Sequence, residues 1–160
     1  LRGRHPGLRY AIVGDGPERE RLAQLADSLL VDDLIEFHGQ LDHDQAIAVG
    51  RAATLFVLPS VDEAFGVAYI EAMAGAVPAI GCRGEDGPEE IAAAGEGIML
   101  VPPRDATALA AQIDALLRDP AGLEVLGRRA RATAEREFTW ARCGVETVEA
   151  YRDALTAPRD

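Results

Sequence analysis

The sequence predicts an α/β fold built on a doubly wound parallel sheet, and three observations carry that prediction. Five short apolar runs recur along the 160 residues, at positions 9–13, 34–37, 55–58, 77–81 and 98–101. Each is close to continuously apolar rather than alternating, as a strand covered on both faces should be. Between the runs lie stretches of helical period. Strands that alternate with helices pair in parallel through crossover connections.

The opening LRGRHPGLRY reads as the tail of a helix, a Pro-Gly break and the first strand. Leu1 is not an initiator methionine, so the chain is expected to begin inside a longer protein. Leu22, Leu25, Ala26 and Leu29 make one helical face, and Ile47 with its neighbouring alanines makes another. A third helix should start near Gly66 and end at Gly75; Val67, Ile70, Ala72, Met73 and Ala74 make it apolar nearly all round. After the fifth strand the pattern is purely helical. Asp105 is a good N-cap for a helix burying Leu109, Ile113, Leu116 and Leu117. Asp119-Pro120 stops that helix and starts the next, with Leu123, Leu126 and Ala130 inward. A last helix from about Trp140 carries Val145, Val148, Tyr151 and Leu155 on one face, and residues 156–160 read as a frayed tail. No repeat or linker divides the chain, which predicts a single domain over 1–160.

Composition narrows the function classes. Hydrophobic residues make up 48% and charged residues 27%, ordinary values for a soluble globular protein. No apolar run reaches about 18 residues and the start carries no signal-like segment, so the expectation is a cytoplasmic protein without an integral membrane segment. Cys82 and Cys143 lie far apart with no ligand-like neighbours, which predicts two reduced thiols. The net charge is −11, and all sixteen basic residues are arginine. Such a surface repels nucleic-acid backbones and anionic lipid. Without lysine, neither a P-loop lysine nor Schiff-base chemistry is available within these residues.

In a doubly wound sheet, ligands sit beyond the carboxyl ends of the strands. The candidate loops are therefore 14–17, 38–41, 59–66, 82–87 and 102–105. The first reads VGDGPERERL from Val13. Gly14 and Gly16 suggest a dinucleotide fingerprint, but its third glycine would fall at Arg19, so this is a weak signal. A glycine turn without ligand explains the loop equally well. The third loop, LPSVDEAFGVAYIEAMAGAVPAIG from Leu58, says more. Its helix begins at Gly66, whose missing side chain would admit a phosphate to first-turn N–H groups that lack intrahelical acceptors. Glu71 lies among apolar neighbours, and a buried carboxylate needs donors. Vicinal ribose hydroxyls would supply two; an arginine such as Arg51 or Arg83 would serve as well.

Glu63 and Glu71, separated by seven residues with Phe65-Gly66 between, resemble the signature of a large family of retaining glycosyltransferases, the glycosyl transferases group 1 or family 4 type. The surroundings agree: Pro59-Ser60 at a strand end, EAMAGAVPAIG, Gly87-Pro88-Glu89-Glu90-Ile91, LVPPRD, and Phe138-Thr139-Trp140 before the last helix. The resemblance runs in order over essentially the whole chain. It implies the donor-binding, C-terminal Rossmann-like half of a GT-B fold. It also implies transfer from a UDP-, GDP- or ADP-sugar to an acceptor hydroxyl with retained configuration, using no cofactor and no metal. Glu71 would hold the ribose hydroxyls. Glu63 is the residue assigned to the catalytic step, as a contact to the transferring sugar rather than an acid or base. The N–H groups of Phe65 and Gly66, with Val67 beside them, would bind sugar hydroxyl or diphosphate. Gly14 and Gly16 would shape the pocket floor, and Phe37, His38, Gly39 and Leu41 would frame the base mainly through main chain. His43 is left as surface.

The resemblance also marks departures. The family's Gly-Gly is replaced by GEDGP, so the roles of Glu85 and Asp86 are open. The basic pair that clamps the diphosphate belongs to a loop upstream of Leu1, as does the N-terminal acceptor domain. The isolated chain should therefore be inactive, and the parent enzyme could sit peripherally at the inner membrane. If the five strands are the family's second to sixth, the central first strand is missing. The chain should then be poorly soluble, pair its first and third strands directly, or swap elements between molecules. Two other classes stay open: a GT-B-like epimerase, and a non-catalytic nucleotide-binding or assembly module from a truncated or split gene.

Overall fold

The computed structural model describes residues 1–156. The chain divides into two compact units, Leu1–Ala52 and Ala53–Asp160. The first unit contains β1 (Tyr10–Val13), α1 (Arg19–Ser28), a 3-10 turn at Asp32–Leu34, β2 (Ile35–Gly39) and α2 (His43–Ala52). β1 and β2 pair in parallel, with Tyr10 opposite Ile35 and Ile12 opposite Phe37. The opening does not contain a helix tail. Arg4 and His5 both donate their N–H groups to the Leu1 carbonyl in a single turn, and Pro6 has no N–H with which to continue it.

Two expectations about this unit need correction. The face Leu22, Leu25, Ala26 and Leu29 is buried only at Ala26, while Leu25 and Leu29 are 45% and 62% exposed. β1 is likewise exposed at three of its four positions rather than covered on both faces. The reason is geometric: a two-stranded sheet is too narrow to cover a helix face or to be covered by one.

The second unit runs β3 (Phe56–Val57), α3 (Val67–Ala74), β4 (Ala79–Cys82), α4 (Asp86–Ala94), β5 (Ile98–Val101), α5 (Ala106–Leu117), α6 (Pro120–Glu137) and α7 (Trp140–Thr156). Its sheet is parallel in the order β3-β4-β5. Here β4 has neighbours on both sides and is buried at every position, as its apolar run requires. Tyr69 and Met73 of α3, Ala79 of β4, Ile91 of α4, Ile98 of β5, and Ala130 and Ala134 of α6 form one core.

The helical caps follow the sequence reading. Asp105 accepts the N–H groups of Thr107 and Ala108, and Asp119 accepts that of Gly122 with Pro120 in the first turn of α6. Along α6, the inward side chains Leu123 and Ala130 are joined by buried Gly127, Thr133 and Ala134. Small residues are required there because backbones nearly touch. A Cβ on Gly127 would lie 2.3 Å from the Ala76 carbonyl oxygen. α7 begins at Trp140 as expected, with Trp140, Val145, Val148, Tyr151 and Leu155 all exposed. Thr156 is its last residue rather than part of a tail; the rest of the expected tail, 157–160, lies outside the described residues.

The strand neighbours match a doubly wound sheet that lacks its first strand. In the order 3-2-1-4-5-6, removing strand 1 leaves a pair and a triplet. Those are β2-β1 and β3-β4-β5. Among the described residues β1 forms a ladder with β2 and β3 with β4, and the ladder expected between first and third strands is not found. Among the described residues, β1 and β3 each keep one edge without a ladder partner. Unpaired strand edges invite pairing with another chain. The 160-residue chain is thus expected to self-associate at micromolar concentration in light scattering; a monodisperse monomer would contradict this.

Candidate functional site

The five site residues of the first unit gather at the carboxyl ends of its two strands. Gly14 follows β1 with φ +123 and donates its N–H to the Gly39 carbonyl at 2.8 Å. Gly39, at φ +70, closes β2 and is buried. His38 and Gly39 thus belong to the strand, not to the loop after it. His38 is exposed and lies 3.7 Å from Glu36, two residues back on the same strand face. Gly16 accepts the Arg19 N–H through its carbonyl, at 3.1 Å. Leu41 is half-buried just before α2, and His43 opens that helix on the surface.

Arg19, where a dinucleotide fingerprint would have glycine, packs inward onto β2. Its guanidinium lies 5.7 Å from the Phe37 ring centre and donates to the Phe37 carbonyl at 3.4 Å. A Cβ on Gly39 would come within 3.1 Å of that guanidinium. Gly39 therefore serves a left-handed turn and leaves room for an arginine.

In the second unit, Glu63, Phe65, Gly66, Val67 and Glu71 come together around the start of α3. Asp62 at φ +61 and Gly66 at φ +82 turn the chain into the helix. Among the described residues no side chain caps α3, and its first turn holds no acidic residue. The amides of Val67 and Ala68 are therefore the natural place for an anion. Glu71 sits one turn further on and is half-buried. Val67 is 57% exposed, so α3 is not buried all round as expected; its outer face opens at the very turn that carries the amides.

Gly66 is required for a reason the sequence did not reveal. A Cβ there would lie 2.4 Å from the Tyr69 ring, beneath the helix, so the constraint comes from the core. Tyr69 is fully buried, and its hydroxyl donates to the Leu58 carbonyl, tying α3 to the end of β3. Burial holds its phenol far above the ordinary value, and the charges of Glu63 and Glu85 push it further in the same direction.

The loop after β4 is shorter than expected, because α4 already begins at Asp86. Its first turn abuts the acidic loop: a Cβ on Gly87 would lie 2.1 Å from the Phe65 carbonyl oxygen. On the other side, the Phe65 ring meets Phe138 edge to face with centroids 6.2 Å apart. Two hollows of about 440 and 470 Å³ lie along α5–α6 and α6–α7. Neither is lined by a residue of the 59–66 loop. The 59–66 loop is marked by its amides and carboxylates, not by enclosure.

Cys82 is buried and its thiol is pushed up by burial and by Glu85, whereas Cys143 is exposed; both are free thiols. Among the described residues, no helix is long and apolar enough to cross a membrane.

The glycosyl transferases group 1 family matches residues 1–133. An exopolysaccharide phosphotransferase of Streptomyces coelicolor is 40% identical over 133 residues, which is 82% of this chain but 14% of that protein. Sucrose-phosphate synthase from Thermosynechococcus elongatus superposes with a TM-score of 0.79 at 34% identity, over 92% of this chain and 39% of that one. The Anabaena protein HepE, solved with UDP and glucose, shares the fold at a TM-score of 0.81 and 22% identity, over 91% of this chain and 40% of its own. The chain thus spans well under half the length of each. Its fold is half of a GT-B architecture, a Rossmann-like domain with parallel sheets and terminal helices. On these matches, with the Glu63–Glu71 segment lying inside the matched span, the chain belongs to the glycosyl transferases group 1 family.

Proposed function

We propose that these 160 residues act as one donor-binding domain of a retaining glycosyltransferase, taking a UDP-, GDP- or ADP-sugar as substrate. The observation that carries the proposal is the uncapped start of α3, bracketed by Glu63 in the loop and Glu71 one turn on. The diphosphate sits at the Val67 and Ala68 amides, where the helix dipole favours negative charge. Glu71 takes the ribose hydroxyls, and Glu63 with the Phe65 and Gly66 amides meets the sugar. Gly14, Gly16, His38, Gly39 and Leu41 are assigned to the floor and the base. The nucleoside diphosphate named with HepE supports the same ligand class here.

In the reaction, the acceptor hydroxyl attacks the face from which the diphosphate leaves, and the departing diphosphate oxygen takes its proton. The α3 amides stabilise the charge that develops on that oxygen. The acceptor domain and the basic diphosphate clamp are supplied by other residues of the parent protein, which works in the cytoplasm. No metal or cofactor is called for. Calorimetric titration of the folded chain with UDP, GDP and ADP should therefore show binding to one of them that persists in excess EDTA. Heat from none of the three would overturn the donor-site reading; binding abolished by EDTA would overturn the metal-free one.

Each unit's sheet keeps an edge without a ladder partner among the described residues, at β1 and at β3, and this supports a second reading, a non-catalytic module that pairs with strands of a separate chain. Nucleotide binding without any transferase activity in the full-length parent would favour it.

A further inference from the structure

Resting on the donor-site reading, we propose that Glu85 is a positioning residue for the donor sugar: its carboxylate, anchored at the start of α4, clamps the backbone of the loop that carries Glu63. The Glu63 N–H donates to a Glu85 carboxylate oxygen at 2.9 Å, across 22 residues of sequence. Glu85 occupies the N-cap position of α4, where the shorter side chains of Asp, Asn, Ser or Thr would accept N–H groups of their own helix. It makes no such cap bond. The third helical position is Pro88, which has no N–H to offer, so one of the usual cap donors is missing. Glu89 meanwhile reaches back to the Gly84 N–H at 2.9 Å, steadying the turn from which Glu85 extends.

The clamp acts together with a second contact. Gly87, the second residue of the same helix, lets the Phe65 carbonyl approach to where a Cβ would stand 2.1 Å away. The loop is thus gripped at Glu63 and at Phe65 by consecutive parts of one helix start. Between the two grips lies Ala64, and next to them lies Asp62, held at φ +61. A backbone in that strained region persists only where its surroundings hold it. The bond uses the main chain of Glu63, not its carboxylate, so Glu85 sets where Glu63 stands without competing for what Glu63 binds. A half-buried carboxylate accepting an N–H forms a charge-assisted bond, stronger than a neutral one. The Glu-Asp-Gly-Pro segment is in this reading a loop-holding device.

The test compares Glu85→Ala and Glu85→Gln in the 160-residue chain. Amide hydrogen exchange at Glu63 should accelerate at least tenfold in Glu85→Ala and return toward the wild-type rate in Glu85→Gln, whose amide oxygen can still accept. Affinity is then measured for UDP and UDP-glucose, and for the GDP and ADP counterparts. Glu85→Ala should keep the nucleoside diphosphate affinity within threefold while losing about tenfold for the sugar nucleotide. Adding Glu85→Ala to Glu63→Gln should cost little more, since both act at one point. An unchanged exchange rate at Glu63, or a sugar-nucleotide affinity unchanged in Glu85→Ala, overturns the clamp while leaving the donor site standing. Failure of the folded wild-type chain to bind any of these nucleotides overturns both.

Discussion

Replacing Glu71 by alanine is expected to lower nucleoside diphosphate affinity about a hundredfold, and by an amount that vanishes when the ribose hydroxyls are removed from the ligand. A hydrogen bond to a charged group contributes about 1.5–3 kcal/mol, and each 1.4 kcal/mol is a factor of ten. A hundredfold loss is roughly 2.7 kcal/mol, the upper end of what one such bond contributes, because two hydroxyls sharing one half-buried carboxylate do not add in full. The decisive comparison is a cycle between Glu71→Ala and a 2′,3′-dideoxy nucleoside diphosphate. If Glu71 holds the diol, the two losses are not additive. If it instead serves the fold through an arginine, the variant lowers thermal stability and discriminates no differently between ribo and dideoxy ligands. Equal affinity of wild type and a folded Glu71→Ala for the ribonucleotide would end the assignment.

Gly97→Ala is expected to be the most damaging single methyl in the chain, costing about 4 kcal/mol. Gly97 has φ +124, a conformation L side chains rarely adopt, and the added Cβ would stand 2.3 Å from the Ala130 Cα. Its carbonyl also accepts the Ala79 N–H at 2.8 Å, so the residue cannot move without loosening β4 from β5. Ala130 is itself fully buried and cannot retreat. At this chain length, 4 kcal/mol corresponds to a fall in Tm of roughly 10 °C. Gly84 provides the control. Its φ is +79 and a Cβ there would meet nothing within 4 Å, so Gly84→Ala reports backbone strain alone. Calorimetry should therefore find a much smaller drop for Gly84→Ala than for Gly97→Ala. Equal drops would mean that the close approach of α6 contributes nothing.

The two glycines also show where reading letters stops. Pattern was enough wherever one element carries its own information. β5 spans the residues its apolar run predicts, and Asp105 and Asp119 cap the helices they were expected to cap. α3 starts after Gly66 because a left-handed glycine and an octet that is apolar but for Glu71 are local features. The pairing Glu63–Glu71 was legible for the same reason, since it lies on one loop and the helix that follows it.

What the letters could not supply was any relation between distant segments. The bond from the Glu63 N–H to Glu85 spans 22 residues, and nothing in GEDGP announces which acceptor will meet which donor. Gly66 looked like a door for a ligand, yet it is also demanded by Tyr69 beneath it. Leu25 and Leu29 have the spacing of a buried face and are exposed, because a two-stranded sheet has too little surface to cover them. Sequence by itself determined the order of the main strands and helices and the family, and it pointed to a candidate loop, because periodicity, capping and a short acidic motif are encoded within a few residues. Tertiary structure alone decided which apolar faces are covered, which glycines are irreplaceable and what holds the acidic loop. Burial and close approach depend on the surface another segment offers, and a single segment's letters do not contain that surface.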